Sequence, residues 1–268
     1  MWIGVILATI ASILWAIGPL LYKTGATESA LDDLFSIAVA AMLSAIPLAA
    51  LGLRLTPEAW LYGAAFSLFG PVLGTYVYLL SLRYAEVGLA NLISYSYIVM
   101  VPLLAAPFEG FSTQYIVASV LSMIGLSAIM RARRGSARGL ALAFLSAVFY
   151  AISFLALGAA SSATDPWSFT FVRAVVLLLA VGMWEAARRH KPRISPRIFV
   201  AGILSYGIGG PLFILSTYYI GVAVPTILTA ISPAVTQAIT YLKLGERLDL
   251  ISGLGFALIL AGVVLASV

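Results

Sequence analysis

Apolar runs of about 20 residues follow one another along almost the whole chain, with connections of only a few residues between them. A bilayer core ~30 Å thick is crossed by roughly 20 residues of α-helix, and within hydrocarbon only helices and closed barrels satisfy their own backbone groups. The alternation of apolar runs and breakers predicts ten spans, near residues 3–22, 31–51, 60–82, 87–107 and 113–130, then 139–159, 166–187, 198–219, 222–242 and 250–267. Composition supports the same conclusion. With 62% hydrophobic and 9% charged residues and a mean hydropathy of +1.08, the chain cannot cover itself with a water-soluble surface. The expected fold class is an all-α membrane protein of ten transmembrane helices, without a large extramembrane domain. The first run has no basic segment before it and continues through Tyr22, which reads as a retained span rather than a signal peptide.

Five of these runs precede the stretch RARRGSARG, residues 131–139, and five follow it. A shift of 135 residues superposes Gly4 on Gly139, Ala16 on Ala151, Gly74 on Gly209, Ser81 on Ser216 and Tyr84 on Tyr219, and sets Trp15 on the aromatic Tyr150. After a slip to 137, Glu109 meets Glu246 and Gly125 meets Gly262. The matches fall in order along the chain, so a duplicated five-helix unit is expected. Its copies are residues 1–130 and 139–268, joined by the basic linker 131–138. Five is odd, so the second copy enters the membrane from the opposite face. Inverted-topology repeats of this kind are a mark of secondary transporters.

The aromatic-centred segments SILWAIGP and SAVFYAIS, and above all the ending ISPAVTQAITYLKLGERLDLISGLGFALILAGVVL, resemble the EamA-type branch of the drug/metabolite transporter superfamily. The resemblance covers essentially the whole chain, and its most specific part is Pro233 to Glu246 followed by Gly253 and Gly262. The first-half counterpart, Pro102 to Glu109 and Gly125, departs in spacing and lacks the basic residue after the glutamate. The resemblance implies a ten-helix basket with a substrate pathway between the halves. It implies no particular substrate.

Polar groups inside a membrane need a protein partner or a hydrated cavity, so mid-span polar residues are the first candidates for a pathway. Span four places Asn91, Ser94 and Tyr95 on one face; span nine carries Thr226, Thr229 and Gln237 around the Ser232-Pro233 step, where Pro233 frees a carbonyl about one turn back. Spans one and six supply Ser12 and Trp15, and Ser146, Tyr150 and Ser153; span three adds Tyr78. Arg173 stands about 10 Å into span seven. The candidate substrate-binding set is Ser12, Trp15, Tyr78, Asn91, Ser94, Tyr95, Tyr150, Ser153, Arg173, Thr229, Ser232 and Gln237. Against it stands close helix packing, the commoner use of membrane hydroxyls. For Arg173 the preferred reading is snorkelling or a pair with Asp165, with attraction of a substrate anion as the alternative. Glu109 and Glu246, at helix ends, are expected to cap the helix that follows.

None of the acidic residues falls near mid-membrane, which speaks against a proton-coupled exporter of cationic drugs. A lipid-modifying membrane enzyme would want clustered acids or histidines, and His190 in a basic loop is the sole histidine. The expected function is transport of a small organic metabolite, neutral or zwitterionic and amino-acid-like, by alternating access, with no catalytic residue, metal or cofactor. The expected partners are a small-molecule solute and the lipid bilayer, not nucleic acid; the number of subunits stays open, a single chain being the simplest case. Thirteen of the 15 Lys and Arg residues, from Lys23 and Arg83 through the linker and the 188–197 loop to Lys243 and Arg247, fall in the loops after odd-numbered spans. Arg54 stands alone in the other set. Short loops rich in Lys and Arg stay cytoplasmic, so a cell-membrane protein with both termini outside is expected, although many members of the resembled family have both termini inside.

Overall fold

The computed structural model describes residues 1–129, 135–189, 191–244 and 250–268. Arg131, Arg133 and Arg134 of the linker, His190, Glu246, Arg247 and Asp249 lie outside the described residues. The described chain forms ten helices. The first five are α1 Trp2–Gly25, α2 Ala30–Ala49, α3 Pro57–Tyr84, α4 Val87–Glu109 and α5 Thr113–Ile129. The second five are α6 Ala137–Ala160, α7 Pro166–Ala187, α8 Pro196–Ile220, α9 (Ala223–Leu228 with Ile231–Leu244) and α10 Leu250–Ser267. Eight are long and apolar enough to cross a membrane; α5 and α9 are the two shorter apolar helices.

Local chemistry sets the starts. Thr56-Pro57, Asp165-Pro166 and Ser195-Pro196 each put a side-chain acceptor at the N-cap and a proline, which needs no donor there, in the first turn. Asp165 accepts from the backbone N–H of Trp167 at 3.0 Å and of Ser168 at 2.8 Å. Ser29 and Ser136 cap α2 and α6 in the same way.

Packing is inside-out relative to a water-soluble protein. Along α1 the exposed positions Ile3, Ile6, Ile10 and Ile13 form an apolar stripe at helical spacing, while Ala8, Ala11, Ser12 and Ala16 on the other side are fully buried. Small residues let backbones approach. A Cβ on Gly125 of α5 would stand 2.6 Å from the Gly255 carbonyl oxygen of α10, and one on Gly262 of α10 would stand 2.6 Å from the Ala118 carbonyl oxygen of α5. Gly125 and Gly262, and Ala118 and Gly255, are partners under the 137-residue shift, so this contact is a two-fold one.

The same symmetry governs the rest. Helix α1 packs on α8 and α9, and α6 on α3 and α4; α2 packs on α8, and α7 on α3. The pairs α2 with α7, α4 with α9 and α5 with α10 close on themselves. The two repeats are thus interleaved: α1 has its main neighbours in the other repeat, and so has α6.

Two of the spans contain π-helical stretches, Leu68–Gly74 in α3 and Ile203–Gly209 in α8, again 135 residues apart. Pro71 lies inside the first and Pro211 just after the second; a proline removes an N–H and crowds the carbonyl four residues back, which a locally widened helix accommodates. Helices α4 and α9 are also broken at matching places, at Tyr95-Ser96 and at Thr229-Ala230.

Candidate functional site

The interrupted helices enclose a central cavity of about 120 Å³, room for several waters or one small solute. Ten of its wall residues are five pairs under the 135-residue shift: Trp15 with Tyr150, Pro19 with Phe154, Pro71 with Tyr206, Thr75 with Gly210 and Tyr78 with Phe213. Both repeats therefore build the cavity from the same positions. On one side Trp15 Nε1–H donates to the Ser205 carbonyl at 2.7 Å and the indole lies beside Gly209; on the other, Tyr150 lies beside Gly74. Thr75 Oγ1 is 3.0 Å from the Tyr150 hydroxyl and also hydrogen-bonds the Tyr206 hydroxyl. The floor is aromatic, with Phe154 5.0 Å from Phe213 and 5.2 Å from Tyr97, centroid to centroid.

Of the twelve candidate residues, seven line the cavity: Trp15, Tyr78, Ser94, Tyr95, Tyr150, Ser153 and Arg173. Four stand behind it and hold its wall or its helices. Asn91 Oδ1 accepts from the Tyr78 hydroxyl, Ser232 Oγ from the Tyr95 hydroxyl at 3.0 Å, and Thr229 Oγ1 from the Tyr97 hydroxyl at 3.0 Å. Ser12 Oγ reaches the Leu228 carbonyl at 3.1 Å, across from α1 to α9. The carbonyl that Pro233 frees is that of Thr229; the N–H of Ser232 turns to it at 2.9 Å and so leaves the Leu228 carbonyl to Ser12. A hydroxyl of the protein, rather than the cavity, takes it. Gln237 is half-buried on α9, away from the cavity wall.

Arg173 neither snorkels nor pairs with Asp165. Its side chain is 3% exposed, and Asp165 is engaged as the cap of α7. The guanidinium donates through Nη2 to the Tyr206 carbonyl at 2.7 Å. Glu109 does cap a helix, but the partner is α9 rather than α5: it accepts from the backbone N–H of Val222 at 2.5 Å and of Ala223 at 3.2 Å. Helix α4 ends nearer the start of α9 than the short loop to α5 suggests.

The wall also contains Tyr22, Phe66, Thr75, Tyr97, Phe154, Ser205, Tyr206 and Phe213, which the candidate set omits. Phe213 was within reach, since the repeat shift carries Tyr78 onto it. Tyr97 was not: on an unbroken helix positions 95 and 97 point about 200° apart, and only the break at Tyr95-Ser96 turns both rings inward.

Contacts at the two ends of the basket follow the parity of the loops. At one end Arg83 donates to the Glu28 and Thr27 carbonyls and pairs with Asp33 at 3.5 Å. Beside it Arg197 donates to the Thr24 carbonyl, and the Ser136 N–H to that of Tyr84. At the other end the Arg54 N–H donates to Ser168 Oγ at 2.6 Å, and Glu109 holds the start of α9.

Ten helices in two inverted repeats around a shared central cavity define a membrane transporter of the inverted-repeat class. The chain belongs to the EamA-like transporter family, whose model matches residues 2–131 and again 137–268, once on each half. It is 26% identical over 196 residues, 70% of each chain, to an uncharacterized transporter of Archaeoglobus fulgidus (strain ATCC 49558 / DSM 4304 / JCM 9628 / NBRC 100126 / VC-16). A solved crystal structure superposes with a TM-score of 0.79 at 18% identity, over 98% of this chain and 96% of the other, a likeness of fold. The protein is thus an integral membrane transporter, whose partners are a small-molecule solute and the bilayer.

Proposed function

We propose that the chain is a secondary transporter or facilitator, not an enzyme, for a small organic metabolite that is neutral overall or zwitterionic and amino-acid-like. The observation that carries this reading is the cavity of about 120 Å³ built by repeat-related pairs from both halves. Its hydroxyls and aromatic rings suit an amphipathic solute with a polar head and an apolar body. Trp15, Tyr78, Ser94, Tyr95, Tyr150, Ser153 and Arg173 contact the solute, while Ser12, Asn91, Thr229 and Ser232 fix the groups that do.

Alternating access follows from two repeats of opposite topology around one site. The interleaving shapes how it is done. Repeats 1–130 and 139–268, joined by the linker 131–138, do not rock as two separate lobes, because α1 packs on α8 and α9, and α6 on α3 and α4. The moving units are mixed: one around α1, α8 and α9, the other around α6, α3 and α4. The π-helical stretches, the first of which contains Gly70-Pro71, the break at Thr229-Ala230 just before Ser232-Pro233, and Gly18-Pro19 are their hinges, since such stretches exchange hydrogen-bond partners at low cost. The basic loops face the cytoplasm of a cell membrane and both termini face outward, by the excess of Lys and Arg in odd-numbered loops. Counterflow of labelled neutral amino acids into proteoliposomes tests the transport reading; protein-dependent accumulation is expected, and its absence for every solute tried would remove it.

A further inference from the structure

We propose that the solute carries a carboxylate, and that the guanidinium of Arg173, seated in the space left by Gly210, is its anchor. The inference deepens the transport reading and rests on the central cavity being the solute site. An arginine keeps its charge in a protein interior, and a charge removed from water needs a partner. Arg173 is 3% exposed, about two turns inside a membrane helix, and its guanidinium has five N–H donors. Among the described residues the one hydrogen bond it makes is to the Tyr206 carbonyl.

That carbonyl is available for a local reason. In the π-helical stretch the N–H of Gly210 goes to Ser205, five residues back, and Pro211, which would serve Tyr206, has no N–H. A carbonyl dipole holds the guanidinium in place but does not neutralise it. Among the described residues no acidic side chain lines the cavity, and the ion pair found is the distant Arg83–Asp33.

The seat is specific to one repeat. Gly210 is the counterpart of Thr75, and a Cβ there would stand 2.4 Å from Nη1 of Arg173. Where the first repeat puts a hydroxyl, the second omits a side chain and admits a cation. Nearby, the buried Ser153 Oγ has no hydrogen-bond partner among the described residues, and the hydroxyls of Thr75, Tyr150 and Tyr206 form a cluster. A carboxylate bound to Arg173 has further donors within the same wall, and its apolar body has Trp15, Phe154 and Phe213. An amino group on the solute meets tyrosine rings and hydroxyls there, not an acid. The class is therefore a small monocarboxylate with an apolar body: with an amino group it is the zwitterion of the transport reading, and without one it is an anion whose charge Arg173 balances, which widens that reading.

Thermal stability of detergent-purified protein tests this with matched probes at constant ionic strength: isovalerate and L-leucine against isovaleramide and L-leucinamide. The carboxylates are expected to raise Tm and the amides to leave it unchanged. Arg173→Gln should weaken carboxylate binding about 10- to 100-fold, as loss of charged hydrogen bonds does, and Arg173→Lys should restore part of it. Should Arg173→Gln fail to fold, Gly210→Ala, which displaces the guanidinium, should weaken the same probes selectively. The proposal is overturned if amides bind as well as carboxylates, if no carboxylate shifts Tm, or if neither Arg173→Gln nor Gly210→Ala discriminates. Carboxylate binding through Arg173 without flux in proteoliposomes would remove the transport reading and leave the anchor standing; flux of neutral solutes without carboxylate binding would do the reverse.

Discussion

The indole of Trp15 and the ring of Tyr150 occupy equivalent places on opposite sides of the cavity, each resting on a glycine of the π-helical stretch in the other repeat, Gly209 for Trp15 and Gly74 for Tyr150. Each interface joins the repeats, and each touches the cavity. A Cβ on Gly209 would stand 2.7 Å from Trp15 Nε1, whereas one on Gly74 would stand 3.2 Å from the Phe69 carbonyl oxygen and 3.3 Å from the Tyr150 ring. Gly209→Ala should therefore be the more damaging, lowering stability by about 1–3 kcal/mol through overpacking. Gly182→Ala, with nothing within 4 Å of the new carbon, should fall within about 0.5 kcal/mol of wild type. Thermal unfolding of Gly209→Ala, Gly74→Ala and Gly182→Ala in one detergent checks the order.

The bond from the Tyr97 hydroxyl to Thr229 joins the broken middles of α4 and α9. In a double-mutant cycle, Tyr97→Phe and Thr229→Val should show a coupling of about 0.5–1.5 kcal/mol, because each removes the same buried hydrogen bond. Strict additivity would mean that the bond does not hold the break.

The α5–α10 contact depends on backbone approach at Gly125 and Gly262 rather than on large side chains. Gly125→Ala and Gly262→Ala should each lower Tm, and by similar amounts, since each new Cβ would stand 2.6 Å from a carbonyl oxygen of the partner helix. A drop in one variant and none in the other would break the two-fold symmetry of the pair.

Much of this architecture is legible in the residues themselves. Length and hydropathy give the ten helices, and the Thr56-Pro57, Asp165-Pro166 and Ser195-Pro196 steps mark three of their starts. The 135-residue shift carries the duplication down to the π-helical stretches, Leu68–Gly74 and Ile203–Gly209. Tertiary partners are less legible. Nothing near Glu109 in the chain indicates that its carboxylate caps α9, 113 residues on. Asn91 and Ser232 are polar, mid-span and close to the cavity, yet they serve tyrosines that face it, a distinction that helical periodicity does not carry. Tyr97 and Tyr206 reach the wall through irregular backbone, where a regular period misplaces side chains.

Orientation is open to a direct probe. The chain has no cysteine, so a single one reports cleanly. Ser136 caps α6, and its replacement would cost about 0.5–2 kcal/mol; the adjacent exposed Ala137 is the better site. Ala137→Cys should resist an impermeant thiol reagent on intact cells and react after permeabilisation. Ready labelling of intact cells would place the basic loops outside.

The central claim is that solute passes through the cavity shared by the interleaved repeats, and counterflow of radiolabelled L-leucine into preloaded proteoliposomes tests it most directly. Wild type and Gly182→Ala should accumulate label equally. Tyr150→Ala, which removes the ring bonded to Thr75 and packed 5.8 Å from Tyr97, should lose about tenfold or more, the effect of ~1.4 kcal/mol at the site, while still eluting as a folded protein. Undiminished counterflow in folded Tyr150→Ala would contradict a pathway through this cavity.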